Sequence, residues 1–208
     1  MTTTNGPEQT EHLTKRGNDD AIVIVSGLPR SGTSLMMKML EAGEVPLMVD
    51  NLRQADIDNP NGYYELERVK ALDKGDVGWL ADAQGRAVKV ISALLVHLPP
   101  TYTYRVLFMQ RQMQEVLASQ RRMLIHRNVS PNPEEESRLA ALYTRHLQNV
   151  QAWMAQQPAF SSLTVDYSRL LSPEADAAID EIVDFLQRPL DRQKMRQAIN
   201  PSLYRNRA

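Results

Sequence analysis

The chain contains no cysteine among its 208 residues. A disulfide framework, a thiolate metal site and a cysteine nucleophile are therefore excluded, and packing alone must hold the fold. No excess of either charge is present: 24 basic side chains stand against 25 acidic ones. A net charge of -1 exerts no global pull on nucleic acid, so any anion site has to be local. Apolar runs are short as well, far from the ~20 residues that span a bilayer, and the polar stretch from Met1 to Asp20 holds no signal-peptide core. The expectation is a cytoplasmic protein without a membrane span. What is present is a length that supports one domain with a real core, 42% hydrophobic residues, and a basic end carrying Arg192, Lys194, Arg196, Arg205 and Arg207.

Residues 1–20 hold one Leu and no aromatic residue, too little apolar surface to offset the entropy of ordering, and are expected to form a flexible tail ahead of a single domain at 21–208. At Ala21 the chain turns apolar. The β-branched run Ile22-Val23-Ile24-Val25 suits a strand buried on both faces of a parallel sheet. Gly27 to Gly32 break it, and apolar Leu35, Met36, Met39 and Leu40 then follow helical spacing up to Gly43. Further strands are expected at Val45 to Val49, Ala87 to Ile91, Tyr104 to Met109 and Leu163 to Tyr167. Helices are expected at Leu66 to Leu72, Met113 to Leu124, Glu134 to Gln156 and Pro173 to Leu186. Asn132 and Pro133 start the longest helix, whose stripe runs through Leu139, Leu142, Leu147, Val150 and Met154. Strands alternating with helices over loops too long for hairpins predict an α/β fold, a three-layer sandwich with a mostly parallel sheet of about 4–5 strands.

The most informative segment is Ser26-Gly-Leu-Pro-Arg-Ser-Gly-Thr-Ser34. It lies between a buried strand and a helix, where backbone amides and a helix N-terminus cradle phosphate. The phosphate-loop pattern is met at Gly27, Gly32 and Ser34, but Thr33 stands where a lysine would bridge the β- and γ-phosphates of a nucleoside triphosphate. A cation appears earlier, at Arg30. A kinase on the same fold is the rival reading that this substitution disfavours, and a non-catalytic nucleotide-binding module is a second.

Pro-Arg-Ser-Gly-Thr-Ser after a strand resembles the 5'-phosphosulfate loop of sulfotransferases that use 3'-phosphoadenosine 5'-phosphosulfate (PAPS), in the small bacterial type. The resemblance implies that Gly27, Pro29, Arg30, Ser31, Gly32, Thr33 and Ser34 hold the phosphosulfate. A second motif meets the family's 3'-phosphate site: Arg111 at a strand end, with Ser119 eight residues on. A planar charged fork and a hydroxyl donor are the groups a phosphate needs there. Gln112 and Met113 depart from the Asp-Pro or Asn-Pro that often follows that arginine. More faintly, Pro201 to Arg207 resembles the closing segment of small members, which would bring Arg205 over the nucleotide. The family implies no metal.

In-line sulfuryl transfer to a hydroxyl or amine needs cations on the leaving oxygen and a base for the acceptor proton. Arg30 and Lys89 are the cations expected. For the base, Val96-His97-Leu98-Pro99 resembles the histidine segment of cytosolic members, yet those place the histidine two residues after the lysine, where this chain has Ile91. Glu65, at the end of Asp58-Asn-Pro-Asn-Gly-Tyr-Tyr-Glu65, is the base expected by resemblance to Golgi members, where a glutamate has that role. Close to ring faces its carboxyl would be less acidic than usual, which suits a base. Asp50 and Asp58 are the other carboxylates considered. The acceptor, whether small molecule, lipid or carbohydrate, and the oligomeric state are left open.

Overall fold

A computed structural model describes residues 20–53, 55, 56, 59 and 62–200; the expected N-terminal tail, Asp58 and Arg205 lie outside these residues. Four parallel strands form one sheet in the order β2-β1-β3-β4, with β1 at Ile22–Gly27, β2 at Ala87–Lys89, β3 at Tyr104–Gln110 and β4 at Phe160–Asp166. β1 is buried throughout and its register runs from Ile22 opposite Tyr104 to Gly27 opposite Met109, which explains its unbroken β-branched run. From β1 the chain passes to β2 on one side and then to β3 on the other. The carboxyl ends of β1 and β3 therefore flank a topological switch point, where open α/β sheets bind ligands.

Alternation along the strands divides the core. Val23, Val25, Leu107, Met109 and Val165 pack with α1 (Thr33–Ala42), α5 (Ala175–Leu186) and α6 (Arg192–Gln197). Ile22, Ile24, Val88, Val106 and Phe108 pack on the other face with Trp79, Leu95, Val150 and Met154. The last two belong to α3 (Pro133–Met154), capped as expected by Asn132, whose side chain accepts from the Glu134 amide at 3.0 Å. α2 (Met113–His126) packs against α3, and the short α4 (Tyr167–Leu170) contributes Tyr167 and Leu170 to the first of these cores. No helix among the described residues is long and apolar enough to cross a membrane.

Several expectations need correction. Val45 to Val49 is no strand but a single bridge, Leu47 to Ala87. Pro46 has no amide to give a ladder and contributes only its carbonyl, 2.8 Å from the Ala87 amide. The expected helix at Leu66 to Leu72 is a 3-10 segment, Glu67–Lys74. Leu142 is 64% exposed, because only the C-terminal half of α3 lies on the sheet.

Candidate active site

The loop after β1 closes on itself before any ligand is considered. The Ser31 hydroxyl donates to the Leu28 carbonyl at 2.7 Å. Arg30 holds a left-handed backbone, φ 72°, a conformation costing a non-glycine residue on the order of 1 kcal/mol. Gly32 follows at φ 103° and begins α1. A Cβ there would come within 2.3 Å of the Tyr167 ring, so that position admits only glycine. α1 has neither a side-chain cap nor an acidic residue in its first turn. Its positive dipole end is therefore not neutralised by its own side chains.

Three cations gather at this positive end. Arg30 Nε donates to Ser119 Oγ at 2.9 Å, tying the loop to α2. Arg111 donates from Nη1 to the Arg30 carbonyl at 3.2 Å and from Nε to Glu115 Oε2 at 2.8 Å. Its guanidinium also lies 4.4 Å from the Tyr167 ring centroid. Thus Arg30 joins Arg111 and Ser119, which lie 81 and 89 residues further on, in one connected cluster at the switch point.

The third cation, Lys89, at the end of β2, donates to Ser34 Oγ at 3.2 Å and to the Tyr63 carbonyl at 2.9 Å. Burial lowers its pKa to about 8; nearby Glu65 opposes the shift, while Arg53 and Arg30 add to it. Ser34 Oγ also accepts from Asn59 Nδ2 at 2.9 Å, so Asn59 and the end of β2 meet on α1.

Glu65 lies 3.9 Å from Lys89 Nζ and 3.5 Å from Arg53 Nη1. The expected apolar surroundings are not found. Arg53 covers the Tyr63 ring at 3.3 Å, Tyr63 donates its hydroxyl to Asp56, and Tyr64 donates to Glu41. The carboxylate thus faces two cations rather than ring faces, though with 25% of its side chain exposed it stays open to solvent. Asp50 plays a different part, accepting from the amides of Leu52 and Glu67 at 3.0 and 2.5 Å, which caps the 3-10 segment. His97 is exposed at the end of the 3-10 segment Ser92–His97, on the path from the carboxyl end of β2 back to the amino end of β3.

Two residues of the cluster, Tyr167 and Glu115, are not among those expected from the sequence. Tyr167 is the first residue past β4, and a strand's carboxyl end was the available signal. Glu115 stands one helical turn after Arg111, a spacing at which an acid and a base meet.

The donor set fits an anionic ligand. Guanidinium forks suit phosphate and sulfate oxygens, and hydroxyls of Ser31, Thr33, Ser34 and Ser119 stand among them. Among the described residues no group of three or more His, Asp or Glu is placed to hold a metal ion.

The model of the sulfotransferase domain family matches residues 19–206. No curated protein matches the chain. Among solved structures, the chain is similar to a sulfotransferase domain from the curacin biosynthetic pathway, at 14% identity and a TM-score of 0.49, covering 87% of this chain and 78% of that one.

Proposed function

Because the chain belongs to the sulfotransferase domain family, we propose that it moves a sulfuryl group from PAPS to a hydroxyl or amine of a small-molecule, lipid or carbohydrate acceptor, within a single domain at 21–208. The observation that carries this reading is the link from Arg30 to Ser119 and Arg111. It joins a loop suited to a 5'-phosphosulfate to a pair suited to a 3'-phosphate, the two groups that set this donor apart from ATP.

In this reading the backbone N–H groups of the loop Gly27 to Ser34, Pro29 having none to give, and the α1 N-terminus hold the phosphosulfate, while Arg111 and Ser119 hold the 3'-phosphate. Transfer breaks the bond between sulfur and the phosphate oxygen and forms one between sulfur and the acceptor oxygen or nitrogen. Arg30 and Lys89 stabilise the charge growing on the departing phosphate oxygen. Glu65 takes the acceptor proton. Lys89 sits 3.9 Å from it and so stands between the two ends of the exchange.

Thermal melting tests the donor. Adenosine 3',5'-bisphosphate should raise the melting temperature, since a ligand that binds only the native state stabilises it. ATP with Mg²⁺ should do so far less. The reverse order would replace this reading with a kinase.

A further inference from the structure

The mechanism assigns nothing to Glu115, yet its carboxylate is 2% exposed and pairs at 2.8 Å with Arg111, whose side chain is 7% exposed. Arg111 is gripped from three elements: by Glu115 of α2 at Nε, by the Arg30 carbonyl at Nη1, and by the Tyr167 ring against its face. Orientation alone does not call for a charged Glu115. A glutamine has the same length and offers Nε the same kind of oxygen, without the desolvation that a buried carboxylate entails. The charge has an electrostatic consequence instead. It stands beside the cation assigned to a phosphate, so ligand and carboxylate repel each other where water screens little.

We propose that Glu115 is a positioning residue that acts as the resident anion of Arg111: it presents the guanidinium and makes an incoming 3'-phosphate share it, which holds nucleotide affinity down and eases release of the bisphosphate product. The inference rests on the reading of Arg111 as the 3'-phosphate receptor. Removing the charge raises the free energy of the ligand-free protein, where a buried cation loses its counter-charge, and removes repulsion from the bound one. Both changes favour binding.

The test is Glu115→Gln, with calorimetric titration of adenosine 3',5'-bisphosphate and of 5'-AMP. The variant should bind the bisphosphate at least about fivefold more tightly than the parent and bind 5'-AMP within about twofold of it. Its ligand-free melting temperature should fall. A role in orientation alone would leave bisphosphate affinity equal or weaker, and that result overturns the proposal. Should the variant not fold by itself, melting in millimolar bisphosphate decides. Recovery of a folded transition supports the resident-anion role, and no recovery overturns it. If the parent protein binds bisphosphate and 5'-AMP equally, the assignment of Arg111 falls and takes this inference with it. A parent that prefers the bisphosphate, with no gain in the variant, removes the role of Glu115 alone.

Discussion

Two pairs of arginines occupy opposite edges of the sheet and serve opposite ends. At the amino edge, Arg105 donates to the Phe185 carbonyl and to Gln187 Oε1, and Arg188 donates to the carbonyls of Gly85 and Ala21. Phe185 and Gln187 stand at the C-terminus of α5, where the helix dipole welcomes a cation. This pair closes the fold. At the carboxyl edge, Arg30 and Arg111 lie at the N-terminus of α1, where the same dipole repels them. The dipole itself gives the fold no gain from cations there. Their neighbours include a hydroxyl and a carboxylate, groups that an anionic ligand can displace or share. Arginine at a helix C-terminus thus reads as structure, and arginine at a helix N-terminus reads as a site.

The comparison predicts that substitutions at Glu65 and Arg30 lower transfer far more than they lower stability. The largest effect should come from Glu65→Gln, which removes the base and should lower turnover by about 10²–10⁴. Bisphosphate affinity should stay within about twofold, because the role proposed for Glu65 is toward the acceptor and not the nucleotide. Arg30→Ala should follow, with a loss of turnover on the order of 10² that exceeds its loss of bisphosphate affinity. A turnover within about threefold of the parent's would remove Arg30 from the leaving-group role.

A crossed pair of variants tests the comparison directly. Arg111→Ala should remove most of an at least tenfold preference, about 1.4 kcal/mol, for adenosine 3',5'-bisphosphate over 5'-AMP. Arg105→Ala should keep that preference and lower unfolding stability by about 1–3 kcal/mol, since it leaves carbonyls at the end of α5 without their donor. If Arg105→Ala erased the nucleotide preference instead, position relative to the helix dipole would not be what divides the two pairs.

Lys89 gives a smaller, pH-dependent effect. Burial lowers its pKa to about 8, so the free protein loses this cation as pH rises through that value. Transfer that needs the charge should show kcat/KM falling about tenfold per pH unit on the alkaline side. The fall in kcat should lie at higher pH, because bound phosphosulfate favours the ammonium form. Equal pH profiles for Lys89→Met and the parent would dismiss the role.

The parts of this molecule legible in the sequence are those written locally. The run Ile22 to Val25 could only be a buried strand, and Gly27, Arg30 and Gly32 stand within one loop. Illegible parts depend on distant contacts. Nothing near Glu65 in sequence shows that Arg53 turns to the Tyr63 ring while Lys89 arrives from β2. Asp50 has the look of an available carboxylate in the sequence, but in the fold the Glu67 amide falls on it. The 3-10 segment Glu67–Lys74 has helical spacing over a stretch too short to distinguish it from an α-helix. Tyr167 gains its meaning only from Gly32 and Arg111, which other elements bring to it, whereas the i,i+4 spacing of Glu115 from Arg111 is written in the sequence.

The smallest expected effect concerns His97, and it sets a four-residue likeness against a longer register. Val96-His-Leu-Pro99 matches a histidine segment of cytosolic sulfotransferases, but the spacing from Lys89 places Ile91 where that histidine would stand. The path of the chain adds a second argument. Strand ends converge on the phosphate loop only at the carboxyl edge, and the segment Ser92–His97 is already returning toward Tyr104, which opens β3 at the amino edge. The imidazole is exposed there. Proton transfer needs heavy atoms within about 3 Å, or a single bridging water. His97→Ala should therefore keep turnover within about twofold, with an unchanged melting temperature, as expected for an exposed side chain outside the site. An inactive His97→Ala beside an active Glu65→Gln would move the acceptor to the face of the 3-10 segment and give the short likeness priority over the register.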